Sequence, residues 1–220
     1  VSREELAFLL RKSWKNLFQT ELTINQLGIL WAHIFLEVGG GKFIHNYNFG
    51  NIKRLSGKKY TSYECSEVLV NKDGYRENFK FYPYHPQTFF ASWENSEVGI
   101  TDYIKFLQKD RYKKAFEELI KEDMVGYVAG LKVDGGKTYG GYFTADLGAY
   151  TRAVNVWYLI YKQKPEYYYN WTPAPAPNPK PDETKKDAHE SEKPPEVSTP
   201  APDLKKTDDI KSNGVQIAKP

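Results

Sequence analysis

The sequence predicts an α+β domain with a mainly helical body and one small antiparallel β-hairpin. Apolar residues recur with helical spacing over most of residues 1–171, and the period changes to two in a single short stretch around a hairpin turn. All 5 Trp, 17 Tyr and 12 Phe residues lie at or before Trp171, whereas ten of the 13 prolines follow it. We therefore expect a folded domain at residues 1–171. Residues 172–220, rich in Pro, Lys and Glu, are expected to form a disordered tail or linker, since they contain too little apolar surface to offset the entropy of ordering.

Two capping-box sequences predict where the first two helices begin. Ser2 is followed three residues later by Glu5, and Thr23 by Gln26, and each pair precedes an apolar stripe. The second stripe ends at residues 39–41, which are all glycine and favour the end of a helix.

The hairpin and three further helices follow along the chain. Residues 60–70 and 75–82 alternate weakly between apolar and polar side chains, and Asp73 and Gly74 between them are typical of a hairpin turn. Apolar stripes predict the later helices over residues 100–107, over residues 115–120, and from a cap at Thr144 to Tyr161.

Composition excludes several classes of site and partner. Cys65 is the only cysteine, so an intrachain disulfide or a cysteine zinc site is excluded, and the four histidines lack metal-ligand spacing. We expect neither a metal nor a cofactor, because the glycine run follows a helix rather than preceding one as a phosphate loop does. The chain has no apolar run of the ~20 residues that a membrane span needs. Its net charge is only +3 and no block of like charge occurs, which argues against a nucleic-acid partner.

Glu37 is out of place on an apolar stripe. It lies three residues after Ile34 and seven after Leu30, in the last helical turn, where the helix dipole disfavours negative charge. Both effects penalise the ionised form, so we expect a raised pKa and a carboxylic acid able to donate a proton. The alternative is a glutamate that extends from the helix end into solvent. His33, one turn earlier, is interpreted as a structural helix histidine, with a contact to Glu37 as the alternative.

The segment from Glu37 to Lys53, EVGGGKFIHNYNFGNIK, resembles the catalytic segment of the endo-β-N-acetylglucosaminidase family. This family belongs to the lysozyme-like peptidoglycan hydrolases and includes flagellar and autolysin-type glucosaminidases (glycoside hydrolase family 73-like). Three further segments resemble the family in the same order: residues 60–65, residues 90–96 with 101–112, and residues 141–150. The resemblance spans about Leu22 to Tyr161 and implies a lysozyme-like fold.

The resemblance also implies cleavage of a β-1,4 glycosidic bond in peptidoglycan. Glu37 would be the general acid. Glu64 is the first candidate for the second catalytic carboxylate and Glu67 the alternative, because the register of the hairpin is ambiguous. Glu67 would otherwise contact substrate. Tyr142 would line the cleft and hold the sugar or the transition state.

Amide and aromatic side chains complete the expected substrate site. Asn46, Asn48 and Asn51 offer donors and acceptors for N-acetyl and hydroxyl groups, with turn formation as the alternative role. Tyr139 and Tyr142 lie in a glycine-rich segment and suit stacking on pyranose rings.

Two other functions remain open at this stage. A lytic transglycosylase needs a single catalytic glutamate, and a non-catalytic glycan-binding or phage virion module needs none. In each case the expected partner is the glycan strand of peptidoglycan, so the protein would act in the periplasm or cell wall. No secretory signal opens the sequence. We therefore expect either secretion with the signal removed or delivery in a bacteriophage virion, with the tail as an attachment to the virion or cell wall.

Overall fold

A computed structural model describes residues 1–70, 72–132 and 141–175, all within one compact unit, Val1–Pro175. The predicted tail lies outside the described residues except for residues 172–175, so its disorder stays a prediction. The helices are α1 (Arg3–Phe18), α2 (Ile24–Glu37), α3 (Ser96–Leu107), α4 (Lys113–Ile120), α5 (Met124–Lys132), α6 (Leu147–Lys162) and α7 (Pro165–Asn170). The strands are β1 (Tyr60–Ser62), β2 (Cys65–Val70), β3 (Arg76–Phe81) and β4 (Phe89–Ala91).

The two predicted capping boxes form. In α2 the Thr23 hydroxyl accepts from the Gln26 backbone N–H at 3.1 Å, and the Gln26 side chain accepts from the Thr23 N–H at 3.0 Å. After Glu37 the glycines at residues 39–41 have φ values of 55°, 73° and 89°, which are left-handed and end the helix. Glu37 is therefore the last helical residue of α2.

Helix α2 lies at the centre of the core. Its residues from Gln26 to Phe35 are all buried, which is typical of a helix packed on every side. It packs against α1, α6 and α7. Trp31 is fully buried and its indole N–H donates to the Arg3 carbonyl oxygen at 3.0 Å, which ties α1 to α2. The centre of the molecule thus leads directly to Glu37.

The β-lobe differs from the prediction in one respect. The hairpin forms as predicted, with β2 antiparallel to β3 from Cys65 opposite Phe81 to Val70 opposite Arg76. The continuous strand predicted over residues 60–70 is wrong, because it breaks after Ser62 and β1 pairs with β4 in a second two-stranded sheet. That pairing is non-local, so local alternation did not indicate it.

The start of the last long helix also differs. Thr144 is not its cap. Asp146 caps α6 instead, and its carboxylate accepts from the Ala149 backbone N–H at 2.9 Å. Two helices, α5 and α7, were not predicted.

The described residues confirm the α+β class with a mainly helical body. The β-structure consists of two small antiparallel sheets on one side of the sequence between α2 and α3. In the part of the chain that the structure describes, no helix combines the length and apolar character that crossing a membrane requires.

Candidate active site

A cleft of about 450 Å³ opens at the end of α2. Four of the residues predicted from sequence line it: Glu37, Asn51, Glu67 and Tyr142. The other lining residues are Gly50, Ile52, Lys53, Arg54, Leu55, Phe90, Phe106, Arg111, Tyr112, Gly141, Phe143, Thr144, Ala145 and Tyr150. Within residues 1–70, 72–132 and 141–175, no three His, Cys, Asp or Glu side chains are grouped as ligands for a metal ion.

Glu37 combines burial with access to the cleft. Its side chain is 13% exposed, and the Tyr150 hydroxyl donates a hydrogen bond to Oε1. Burial raises the Glu37 pKa from 4.5 to about 7, the Tyr150 hydrogen bond opposes that rise, and the charge of Glu67 adds to it. The protonated acid and the carboxylate are therefore both populated near neutral pH, as expected from the position of Glu37 on the apolar stripe.

His33 contacts Glu37 without forming a salt bridge. The two groups approach to 3.8 Å between Nε2 and Oε1, but burial lowers the His33 pKa to about 3, so the imidazole is neutral. Its Nδ1 lies 2.7 Å from the hydroxyls of both Tyr103 and Tyr127. Its Nε2 is buried and has no hydrogen-bond partner among the described residues. The interpretation of His33 as a satisfied helix histidine therefore holds for only one ring nitrogen.

Tyr150 is a site residue that the sequence placed on the apolar stripe of the last helix. It lies in the first turn of α6 and is 8% exposed, and its ring stacks on Phe143 with centroids 3.6 Å apart. Burial raises its pKa well above the usual value, so the hydroxyl stays protonated and donates to Glu37. Its presence in the matched segment 141–150 was the one available signal.

The second carboxylate on the cleft is Glu67 rather than Glu64. Glu67 lies in β2, lines the cleft, and pairs with Lys53 at 2.9 Å. Glu64 precedes β2, and its exposed side chain pairs with Lys80 at 2.8 Å outside the lining of the cleft. Residues three apart project to opposite faces of a strand, so the two glutamates cannot share the cleft. The geometry reverses the order of preference that the sequence favoured.

Tyr142 lines the cleft, and its hydroxyl is held by the loop opposite. The hydroxyl donates to the Gly50 carbonyl oxygen, and the Tyr142 backbone N–H donates to the Leu131 carbonyl oxygen at 2.9 Å. A Cβ at Gly50 would lie 2.5 Å from the Tyr142 hydroxyl, so only glycine fits this approach. Tyr142 therefore fixes the loop that forms one wall of the cleft and presents its ring there. Tyr139 lies outside the described residues.

The three asparagines have different surroundings. Asn48 is 2% exposed, donates to the carbonyls of Ile52 and Ala91 at 2.9 and 3.0 Å, and accepts from the Ile52 N–H at 2.8 Å. This is the turn-forming role, and Asn48 does not line the cleft. Asn46 is exposed and also lies outside the lining. Asn51 lines the cleft and accepts from the Tyr63 hydroxyl at 2.8 Å.

Comparison with known proteins gives structural likenesses only. No protein-family model matches the chain, and no curated protein matches it. A peptidoglycan hydrolase mutant from Sphingomonas sp. A1 is 20% identical with a TM-score of 0.48, over 72% of this chain and 99% of that one. The catalytic domain of the autolysin Auto from Listeria monocytogenes is 18% identical with a TM-score of 0.49, over 76% and 84%. A C-terminally truncated glycoside hydrolase domain of FlgJ from Salmonella typhimurium is 15% identical with a TM-score of 0.41, over 74% and 99%.

The identities and TM-scores of these likenesses are all low. The function proposed below therefore rests on the side chains of the cleft and on the sequence segments that resemble the glucosaminidase family.

Proposed function

We propose that the chain is a lysozyme-like glycoside hydrolase that cleaves β-1,4 glycosidic bonds of bacterial peptidoglycan, in the manner of an endo-β-N-acetylglucosaminidase. The single observation that carries the proposal is Glu37, a buried carboxyl group whose pKa is raised to about 7 on the wall of an open cleft. The four sequence segments that resemble the glucosaminidase family supply the substrate class.

Glu37 acts as the general acid. A general acid works best when its pKa lies near the working pH, because the proton is then both present and readily given. Glu37 donates its proton to the glycosidic oxygen as the bond between that oxygen and the anomeric carbon breaks. The Tyr150 hydroxyl then stabilises the carboxylate that remains, since a hydrogen bond to an ionised group is stronger than one to a neutral group.

Glu67 supports hydrolysis rather than transglycosylation. Hydrolysis needs a second carboxylate, either to take a proton from the attacking water or to attack the anomeric carbon itself. Glu67 lines the same cleft as Glu37, and Lys53 holds it there. A lytic transglycosylase needs no such group, because the muramyl hydroxyl of the substrate attacks and an anhydro end results.

The remaining walls of the cleft contact the sugar. The Tyr142 ring supplies a flat apolar surface for a pyranose, and Asn51 supplies an amide for an N-acetyl or hydroxyl group. Tyr139 stays a predicted stacking residue.

The proposed substrate places the activity outside the cytoplasm. The protein acts in the periplasm or cell wall, which it reaches by secretion or within a bacteriophage virion. In either case the proline-rich tail serves reach or attachment rather than catalysis.

Three variants test the assignment on purified peptidoglycan, with new reducing ends as the readout. Glu37→Gln keeps the shape of the side chain but cannot donate the proton, so its rate falls by about 10²–10⁴-fold. Glu67→Gln also loses activity, and Glu64→Gln is the matched control on the same hairpin that keeps it. Equal activity of Glu37→Gln and the wild type overturns the proposal.

Mass spectrometry of the digest separates the alternatives. Reducing N-acetylglucosamine ends support the proposal, whereas anhydromuramyl ends show a transglycosylase. A wild-type protein that releases no fragments but sediments with peptidoglycan is a glycan-binding module.

A further inference from the structure

His33 is a buried histidine one helical turn before Glu37. The side chain is fully buried, and every group within hydrogen-bonding reach comes from a different part of the fold. The titratable groups that face it are Glu37 of α2, Tyr103 of α3, Tyr127 of α5, Tyr142 from the segment before α6, and Tyr150 of α6. No lysine, arginine or further carboxylate is among these facing groups, so the site is apolar apart from hydroxyls and one carboxyl group.

The hydroxyls around Nδ1 determine which ring nitrogen carries the hydrogen. Tyr103 and Tyr127 each lie 2.7 Å from Nδ1, and their hydroxyls lie 3.3 Å from each other. If Nδ1 accepts, one hydroxyl donates to it and the second donates to the first, so both phenolic hydrogens are used. If Nδ1 carried the hydrogen, the three groups would share three hydrogens and one phenolic hydrogen would lack an acceptor. No other acceptor for either hydroxyl is present among the described residues. Buried polar hydrogens are almost always bonded, so the neutral ring carries its hydrogen on Nε2.

The Nε2–H group is directed at the candidate catalytic acid. Nε2 is buried and has no hydrogen-bond partner among the described residues, and Glu37 Oε1 lies 3.8 Å away. Oε1 is the same oxygen that accepts from Tyr150. A small rotation of the Glu37 side chain brings Oε1 within hydrogen-bond distance of Nε2. The carboxylate becomes a stronger acceptor once its proton has left.

We propose that His33 is a positioning residue for Glu37, held in its Nε2–H form by Tyr103 and Tyr127. This inference rests on the proposed function of Glu37 as the general acid. The Nε2–H and Tyr150 donors both address Oε1, so the transferable proton resides on the other oxygen, Oε2. When that proton passes to the glycosidic oxygen, the 3.8 Å contact closes to a hydrogen bond and stabilises the carboxylate.

Two measurements on the full chain test this role. The ¹⁵N chemical shifts of the His33 ring in the wild-type protein report the tautomer directly and require no variant. A matched pair of variants then separates the two nitrogens. Glutamine places its amide nitrogen near the position of Nε2, whereas asparagine places it near Nδ1.

We expect the Nε2–H tautomer in the wild type. His33→Asn lowers kcat by about tenfold or more with KM nearly unchanged, because it removes the donor to the ionised form of Glu37. The ¹³C titration of the Glu37 carboxyl moves to higher pH in the same variant. His33→Gln retains kcat within about threefold and the wild-type titration, because its donor remains.

The Nδ1–H tautomer in the wild type overturns the proposal. A folded His33→Asn protein with unchanged kcat and an unchanged Glu37 titration also overturns it. If the wild type cleaves no glycan, the proposed function fails. The tautomer and the Glu37 titration in the same three proteins still decide whether His33 acts on Glu37.

Discussion

Replacing Glu37 with glutamine should stabilise the protein at alkaline pH and leave its stability at acidic pH nearly unchanged. The pKa of this carboxyl rises from 4.5 to about 7 because folding buries it. A group whose pKa is raised on folding contributes full stability below its unfolded pKa and loses that contribution as the pH rises through its folded pKa. The loss therefore develops between about pH 4.5 and pH 7.

The size of this effect follows from the rise of the pKa from 4.5 to about 7. At about 1.4 kcal/mol per pH unit, the ionised carboxylate lowers the free energy of unfolding by about 3 kcal/mol at pH 8. Glutamine carries no charge and avoids this penalty. The difference between Glu37→Gln and the wild type should thus be near zero at pH 4 and about 3 kcal/mol at pH 8.

Urea unfolding, followed by tryptophan fluorescence from pH 4 to pH 9, measures this difference. His33 is common to both proteins, so its own titration largely cancels. Glu64→Gln is the control, because Glu64 is exposed and its surface ion pair is worth about 1 kcal/mol or less. A difference that stays flat across the pH range, or that favours the wild type at pH 8, would refute the burial argument.

Three further predictions concern the walls of the cleft. Tyr150→Phe removes the hydrogen bond that stabilises ionised Glu37, so the Glu37 titration followed by ¹³C NMR should move to higher pH and kcat should fall by about tenfold. Asn48→Ala removes three buried hydrogen bonds and should lower the free energy of unfolding by about 2–4 kcal/mol, whereas exposed Asn46→Ala should change it by less than about 1 kcal/mol. Gly50→Ala places a Cβ 2.5 Å from a tyrosine hydroxyl and should cost about 1–3 kcal/mol, again by urea unfolding, with a shifted loop and lower activity. Unchanged values in any of the three would contradict the corresponding contact.

The helical part of the site was predictable because its determinants are local. The capping box at Thr23 and the glycines at residues 39–41 fix both ends of α2, and the apolar stripe fixes which face is buried. Those features together place Glu37 at a buried helix end. The direction of its pKa follows from that position alone.

The partners of Glu37 were not predictable from local patterns. Tyr150 approaches from a helix 113 residues further along the chain, and a stripe tyrosine with an apolar surround gives the same sequence pattern. The choice between Glu64 and Glu67 depends on where β2 begins. That point is set by the pairing of β1 with β4, which local alternation between residues 60 and 70 does not reveal.

The pH dependence of kcat/KM on soluble peptidoglycan fragments tests the central claim most directly, because it reports the ionisation of the acid that the free enzyme must carry protonated. We predict that kcat/KM falls with increasing pH on a limb centred near pH 7, the pKa of Glu37. Activity that stays constant from pH 6 to pH 9 would contradict the assignment of Glu37 as the general acid.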